Sequence, residues 1–278
     1  MAEVSTDARN AKQVDTVMSL TDTTFFQAKI FVTISSTWNI YTQHAFPCLV
    51  TMHCGEDALS YQKCHFDVDN SCFAEKKINF DTVDDLFSKV PGVTMDFSGA
   101  LANGWFNSLN KLVHSNFGEE RMPQIIKESM LRMCTVHFKN NLNKVSKMSK
   151  IVDPKTRTAF TNLCLSLLNE QSFVEFEVTV KKIIRDFPDT KGWIKWYMRD
   201  TIAPHIFPAC NSAVDDPQLR KRFILLSKDT NLQEGLGSSL KRFLGGNKNH
   251  PNELVQGIWR YCRLMSMQHR LAKQGKCC

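Results

Sequence analysis

The sequence predicts an α/β protein in which a mixed sheet is interrupted by a long helical segment. Three short apolar runs lie close together near the N-terminus, a pattern that favours strands joined by short turns. A fourth apolar run ends at Asp96 and is followed by residues with helical periodicity. Residues 138–230 then show helical patterns and no clear strand. Together these observations predict the element order β-β-β-α-β-α-β, followed by helices.

Local patterns place the elements of the first half. Residues 1–13 are mostly polar and are predicted to be flexible. Helices are predicted at Glu56 to Phe66 and Asp81 to Lys89, and a third begins after Ser98, whose hydroxyl can accept a hydrogen bond from the first turn. Strands are predicted where β-branched and aromatic residues concentrate, at Val14 to Leu20, Lys29 to Ser35, Phe46 to Met52, the run ending at Asp96, and Met133 to Phe138.

The second half is predicted to be helical. Asp153 followed by Pro154 is typical of a helix start, and that helix should reach about Leu168. Further helices are predicted from Phe173 to just before Pro188, Lys191 to Arg199, Asn231 to Leu244 and Pro251 to Lys273. We therefore divide the chain into a flexible N-terminus at 1–13, a first core part at 14–137, a helical insertion at 138–230, and a segment at 231–278 that returns to the core.

Composition excludes several classes of protein. Hydrophobic residues make up 42% and charged residues 23% of the chain, which is ordinary for a globular protein. No apolar run is long enough to cross a membrane, and residues 1–5 lack the basic and apolar regions of a signal peptide. The ten cysteines are therefore interpreted as reduced thiols, and the expected location is the nucleus or the cytoplasm, not the exterior.

The positive charge is concentrated at the C-terminus. Residues 241–278 contain eight Lys or Arg and one acid, Glu253, whereas residues 1–240 contain 27 of each sign. This asymmetry favours an anionic partner such as nucleic acid, although a helix face that needs charge only for solubility has the same pattern. The basic residues expected to contact DNA are Lys241, Arg242, Arg260, Arg263 and Arg270.

Three acids lie at predicted junctions between elements. Asp22 follows the first predicted strand, Asp96 ends the fourth, and Glu234 lies in the first turns of a helix. A mixed sheet of this order can place strands one and four side by side. Two Asp and one Glu would then form an oxygen-only site suited to Mg²⁺ or Mn²⁺. The simpler interpretation of Asp96 is that it caps the helix that follows.

The motifs around these acids resemble the catalytic domain of Mutator-like (MULE) transposases. The resemblance extends over about residues 14–245 and is carried by four segments in order: Thr21-Asp22-Thr23-Thr24-Phe25, Thr94-Met95-Asp96-Phe97-Ser98-Gly99-Ala100-Leu101, Cys134-x-x-His137 with Phe138-Lys139-Asn140-Asn141, and Thr230-Asn231-x-x-Glu234 with Leu240-Lys241. These are DDE enzymes whose ribonuclease-H-like core is interrupted by a helical insertion before the glutamate.

The resemblance implies a fold, a chemistry and a set of roles. The fold would be a ribonuclease-H-like mixed sheet with helices on both faces. Asp22, Asp96 and Glu234 would be the catalytic, metal-binding acids, with Mg²⁺ or Mn²⁺ as cofactor, and Cys134 and His137 would be an accessory pair. The partners would be the DNA ends of the element and the target DNA, with the active form a homo-oligomer. The chain shows neither the N-terminal zinc finger nor the C-terminal zinc motif that many full-length members carry.

Some of these residues have structural interpretations as well. Cys134 and His137 could be a buried thiol and a hydrogen-bonded core histidine, because two ligands three residues apart need others to hold a metal. Trp193 and Trp196 fit packing within the helical segment better than stacking on bases.

We therefore expect a DDE transposase catalytic domain that cleaves a DNA phosphodiester and joins the freed 3′-hydroxyl to a second DNA. The alternative from another class is a host-captured transposase core that binds DNA or protein without catalysis. A nuclease relative that cuts and never joins is a third.

Overall fold

The computed structural model describes residues 19–26, 30–39, 44–67, 82, 85, 92–118, 124–211, 216–245 and 251–276. It is a mixed α/β structure, as predicted. The chain divides into two compact units, which we call the sheet unit (1–122 and 230–278) and the helical unit (123–229). The second unit begins at Pro123, earlier than the predicted insertion boundary at 138. The predicted N-terminal segment lies outside the described residues, as does the predicted helix at 81–89 apart from Thr82 and Asp85.

The sheet unit contains four strands in the spatial order β3-β2-β1-β4. β1 pairs with β2 and β2 with β3 in antiparallel fashion, whereas β1 pairs with β4 in parallel. The register between β2 and β3 shifts between Ser35 and Ser36. The bounds are Ser19–Phe26 for β1, Ile30–Asn39 for β2, His44–His53 for β3 and Val93–Met95 for β4.

The first strand differs from its prediction. It was expected at 14–20, with Asp22 just beyond its end, but β1 continues to Phe26 and Asp22 lies within it. The segment after Asp22 consists of threonine and phenylalanine, which favour extended backbone. Every residue from Leu20 to Phe26 pairs with β2, so one acid does not end the strand.

Helices cover both faces of this sheet. A short helix α1 continues into a π-helical turn. Helix α2 begins after the predicted cap Ser98, whose Oγ accepts a hydrogen bond from the Leu101 amide at 3.2 Å. Gly104 of α2 is buried against α1. A Cβ added at Gly104 would lie only 2.7 Å from the Cβ of Tyr61, so the two helices pack closely because this residue is glycine. The bounds are Ala58–Tyr61 for α1, Gln62–Phe66 for the π turn and Gly99–Phe117 for α2.

The helical unit is built around aromatic side chains. Its strand and helices are α3 (Gln124–Met130), β5 (Leu131–Met133), α4 (Thr135–Ser146), α5 (Arg157–Ser166), α6 (Phe173–Asp186), α7 (Lys191–Tyr197), α8 (Ala203–Ile206) and α9 (Pro217–Leu225). The fully buried Phe138 ring contacts the rings of Trp193, Tyr197 and Phe207. Trp193 is therefore a packing residue of this unit.

Two predicted boundaries in this unit were wrong. The strand expected at 133–138 ends at Met133, because Cys134 is the cap before α4, whose Phe138 and Leu142 are buried one turn apart. Thr135 directs both its amide and its hydroxyl to the Lys228 carbonyl at 2.8 Å, which fixes this helix start. Asp153 caps a turn through the Lys155 amide, so α5 begins only at Arg157.

The last two helices return to the sheet unit and match their predictions. They are α10, Asn231–Phe243, and α11, Pro251–Lys273. Gly245 follows α10 with φ of 73°, a left-handed conformation that glycine adopts without strain. One face of the sheet and these two helices share a buried apolar cluster: Val32, Ile34, Ala45, Val50, Leu236, Leu240, Leu244, Leu254, Ile258, Tyr261 and Cys262.

Candidate active site and nucleic-acid interface

The register of the sheet relates Asp22 to Asp96. In the parallel pairing of β1 with β4, Ser19 lies across from Val93 and Leu20 across from Thr94. The pairing stops there, and β4 ends at Met95; the same offset extended two residues further would set Asp22 level with Asp96. Neighbouring strands are about 5 Å apart, so this extended register would bring the backbones of two acids 74 positions apart in the sequence close together.

The turn after β4 gives Asp96 a defined position. Its Oδ1 accepts a hydrogen bond from the Ser98 amide at 2.9 Å, and Ser98 in turn caps α2. The side chain is half-buried at the end of a strand whose three residues are fully enclosed. The helix cap is thus Ser98, and Asp96 holds the loop that leads to it.

Glu234 is positioned by its neighbour Gln233. The Gln233 side chain is 1% exposed; its Oε1 accepts a hydrogen bond from the Ser36 hydroxyl, and its Nε2 donates to the Ile34 carbonyl at 3.0 Å. Ile34 is the β2 residue that pairs with Asp22. The first turn of α10 is therefore anchored at the register level of Asp22, and Glu234 follows in that turn with its side chain exposed.

The extended register would set two of the three acids side by side, and Gln233 anchors the turn that carries Glu234 to the β2 residue Ile34. Carboxylate oxygens are the ligands Mg²⁺ and Mn²⁺ prefer, so the donor set fits such an ion. Within the described side chains, which do not include that of Asp22, no three His, Cys, Asp or Glu groups converge to hold a metal.

Buried hydroxyl and imidazole groups beside this site were missed by sequence reasoning. Ser35 Oγ lies 2.9 Å from Thr21 Oγ1 and 2.8 Å from His65 Nε2, and His65 Nδ1 lies 2.8 Å from Thr51 Oγ1. We call these four residues the hydroxyl–histidine network. It links three strands to the π turn and includes Thr21, the residue before Asp22. The available signal was the alternation of Thr33, Ser35 and Thr37 along β2.

A second histidine on this face is held in the neutral state. His53 Nδ1 lies 2.6 Å from the Gly55 carbonyl, which can only accept, so Nδ1 carries the proton and Nε2 accepts from Thr33 Oγ1 at 2.7 Å. Burial lowers the pKa of His53 below its ordinary value of 6.5, although the Gly55 bond and the carboxylates of Glu56 and Asp57 oppose this.

Cys134 and His137 lie in the helical unit. Cys134 is fully buried in the cap position just before α4, and half-buried His137 lies in the first turn of that helix. The motif therefore marks the end of β5 and the start of α4.

Sequence reasoning also missed a structural arginine in this unit. Arg132 is 3% exposed, and its Nη1 donates to the carbonyls of Phe223 and Leu226 at the end of α9. Burial lowers the pKa of Arg132 to about 10, so the guanidinium remains charged at neutral pH.

The five basic residues predicted to contact DNA lie on α10 and α11. Lys241 and Arg242 occupy the last turn of α10. Arg260, Arg263 and Arg270 are exposed on α11. The described helices include none long and apolar enough to cross a membrane. All five predicted DNA-contact residues thus belong to the sheet unit.

Comparison of the chain with models of known protein families and with curated proteins found no match. The resemblance to MULE transposases therefore depends on the sequence motifs alone.

Proposed function

We propose that the chain is the catalytic domain of a MULE-type DDE transposase, with Asp22, Asp96 and Glu234 as its acids. One observation carries the proposal. The offset of the parallel pairing, extended past Leu20 and Thr94, would set Asp22 level with Asp96, and Gln233 anchors the first turn of the Glu234 helix to Ile34, the β2 partner of Asp22.

The strand arrangement supports the finer description of the fold. The order β3-β2-β1-β4 sets strands one and four side by side and parallel, as a two-aspartate site in a ribonuclease-H-like core requires. The division of the chain also supports it, since the sheet unit is interrupted between 122 and 230, before the Glu234 helix. We propose a ribonuclease-H-like core on these grounds.

The proposed mechanism assigns a role to each group. Mg²⁺ or Mn²⁺, when held by the three acids, would activate the attacking oxygen and stabilise the leaving oxygen of a DNA phosphodiester. The chain itself orients the ligands: the Ser98 amide fixes Asp96, and Gln233 fixes the turn that carries Glu234. The basic residues of α10 and α11 would hold the DNA backbone through its phosphates.

The test is the variant Asp96→Asn. The asparagine Oδ1 can still accept from the Ser98 amide, so the fold should persist, and relief of repulsion between acids should leave the free energy of unfolding unchanged or raised. Cleavage and joining of labelled DNA with Mg²⁺ or Mn²⁺ should fall by orders of magnitude, as expected when a preorganised charged group is lost. DNA binding should persist.

Asp200→Asn is a matched control, because Asp200 is an exposed acid of the helical unit. The Asp200→Asn protein should cleave labelled DNA at the wild-type rate. Cleavage by Asp96→Asn at the wild-type rate would reject the assigned site.

A second candidate is a captured core that binds nucleic acid without catalysis. The basic surface of α11 favours it, since that surface needs no acid at the sheet to bind DNA. Wild-type protein that binds DNA and cuts none with either metal would establish this candidate instead.

A further inference from the structure

The exposed face of α11 carries an aromatic side chain paired with a cation. Trp259 keeps 45% of its surface exposed, although tryptophan is among the most costly side chains to leave in water. Cζ of Arg263 lies 4.7 Å from the centroid of the Trp259 ring, within the range of a cation–π contact. Arg260 is exposed beside them. We call Trp259 and Arg263 the stacked pair.

The opposite face of α11 fixes which way this pair points. Leu254, Ile258 and Cys262 are buried in the apolar cluster shared with the sheet and α10. The neighbouring Tyr261 contacts the Phe243 ring of α10, with centroids 5.4 Å apart. Rotating the helix to bury Trp259 would expose this cluster, so Trp259 stays at the surface.

Charge selects the kind of partner. Eight basic residues and one acid lie in residues 241–278, and Arg242, Arg260, Arg263 and Arg270 are exposed there. An anionic membrane would need an apolar helix face to insert, but that of α11 is already buried in the protein. A nucleic acid uses both features, because its phosphates pair with arginine and its bases stack on flat aromatic surfaces.

A paired base offers only its edge in a groove, whereas an unpaired base offers its face. The flat indole and guanidinium groups of the stacked pair can stack on the face of an unpaired base. We propose that Trp259 and Arg263 form a stacking site for an unpaired base of single-stranded nucleic acid, with the neighbouring arginines on its phosphates. This inference takes from the proposed function only that the partner is nucleic acid, and it requires no catalysis.

The chain contains a matched control. Trp196 and Arg199 form a second tryptophan–arginine pair in the helical unit, with Cζ 5.9 Å from the ring centroid. Trp196 is half-buried and lies edge-on to the Tyr197 ring at 4.8 Å. This second pair has the same residue types but is packed within the helical unit. Trp196→Ala should therefore leave nucleic-acid binding at α11 unchanged.

The experiment measures affinity of the full chain for a labelled oligothymidylate and for a blunt duplex of equal length, at one salt concentration. Trp259→Ala should weaken oligothymidylate binding by about tenfold or more, since base–aromatic stacking has effects of that order. Trp259→Phe keeps an aromatic face and should stay within about threefold of wild type, as should Trp196→Ala. Affinity for the duplex should be nearly the same for the wild-type protein and the three variants.

Three results with the variants would overturn the inference: unchanged oligothymidylate binding by Trp259→Ala, an equal loss for the duplex, or an equal loss for Trp196→Ala. Wild-type protein that binds duplex and not oligothymidylate would reject the stacking site and leave the proposed function intact. The cleavage test with Asp96→Asn is independent of all these results.

Discussion

The two faces of strand β2 are equally buried but are stabilised by different means. Val32 and Ile34 belong to the apolar cluster covered by α10 and α11. The alternate residues Thr33 and Ser35 are 0% and 1% exposed and face His53 and His65. One face removes apolar surface from water, whereas the other pairs the hydroxyls of Thr33 and Ser35 with histidine nitrogens.

The difference shows what each face tolerates. An apolar contact is non-directional and its contribution follows the area that is buried. A buried hydroxyl is acceptable only while its partner is present, because an unsatisfied polar group costs free energy. The apolar face should therefore respond to loss of volume, and the hydroxyl face to loss of a single partner.

The largest stability change should come from the apolar face. Ile34→Ala removes a side chain that is 2% exposed, and should lower the free energy of unfolding by roughly 2–5 kcal/mol. Urea unfolding of the wild-type and Ile34→Ala proteins measures this difference in the free energy of unfolding. Leu59→Ala is the control, because Leu59 is 54% exposed and its loss should change little. Equal effects of the two substitutions would show that the cluster does not stabilise the sheet.

Removing one hydroxyl should have a smaller effect. Ser35→Ala leaves Thr21 Oγ1 and His65 Nε2 without their shared partner, so the free energy of unfolding should fall by about 1–3 kcal/mol. The loss should be non-additive with His65→Leu, because both changes remove the same hydrogen bond between Ser35 Oγ and His65 Nε2. Additive losses in a double-mutant cycle would mean that the two residues act separately.

The smallest effect is a pH dependence from His53. Its folded-state pKa lies below 6.5, so the unfolded chain binds a proton more readily as the pH falls. The stability contributed by the neutral ring is thus present above pH 6.5 and is lost as the pH falls from there through the folded pKa. Urea midpoints of wild type and His53→Gln should converge as the pH is lowered. A constant difference between them would reject this linkage.

The alternating pattern of β2 was sufficient to predict a strand but not the environment of its polar residues. Alternation of Ile30, Val32 and Ile34 usually means that one face meets water. Here the other face is covered by the π turn through His65, a contact across 30 residues that no local pattern reports.

Candidate acids could be named from sequence, but their relation could not. Asp22 was expected beyond a strand and lies within one, since the antiparallel pairing with β2 outweighs the propensity of a single acid. Gln233 carried no motif, and its role follows only from burial against β2. Helices with strong periodicity, such as α6, α10 and α11, were predicted almost to the residue, because an apolar stripe is a local signal.

The hydrogen bond between Ser36 and Gln233 has a consequence for synthesis. It joins residues 197 positions apart, so a ribosome has released β1–β4 long before the helix that completes their apolar face exists. Contacts of such separation are the slow ones in folding, whereas local helical contacts form quickly. We expect residues 123–229 to be structured while the nascent sheet still exposes Val32 and Ile34, and chaperone binding to concentrate on that interval of translation.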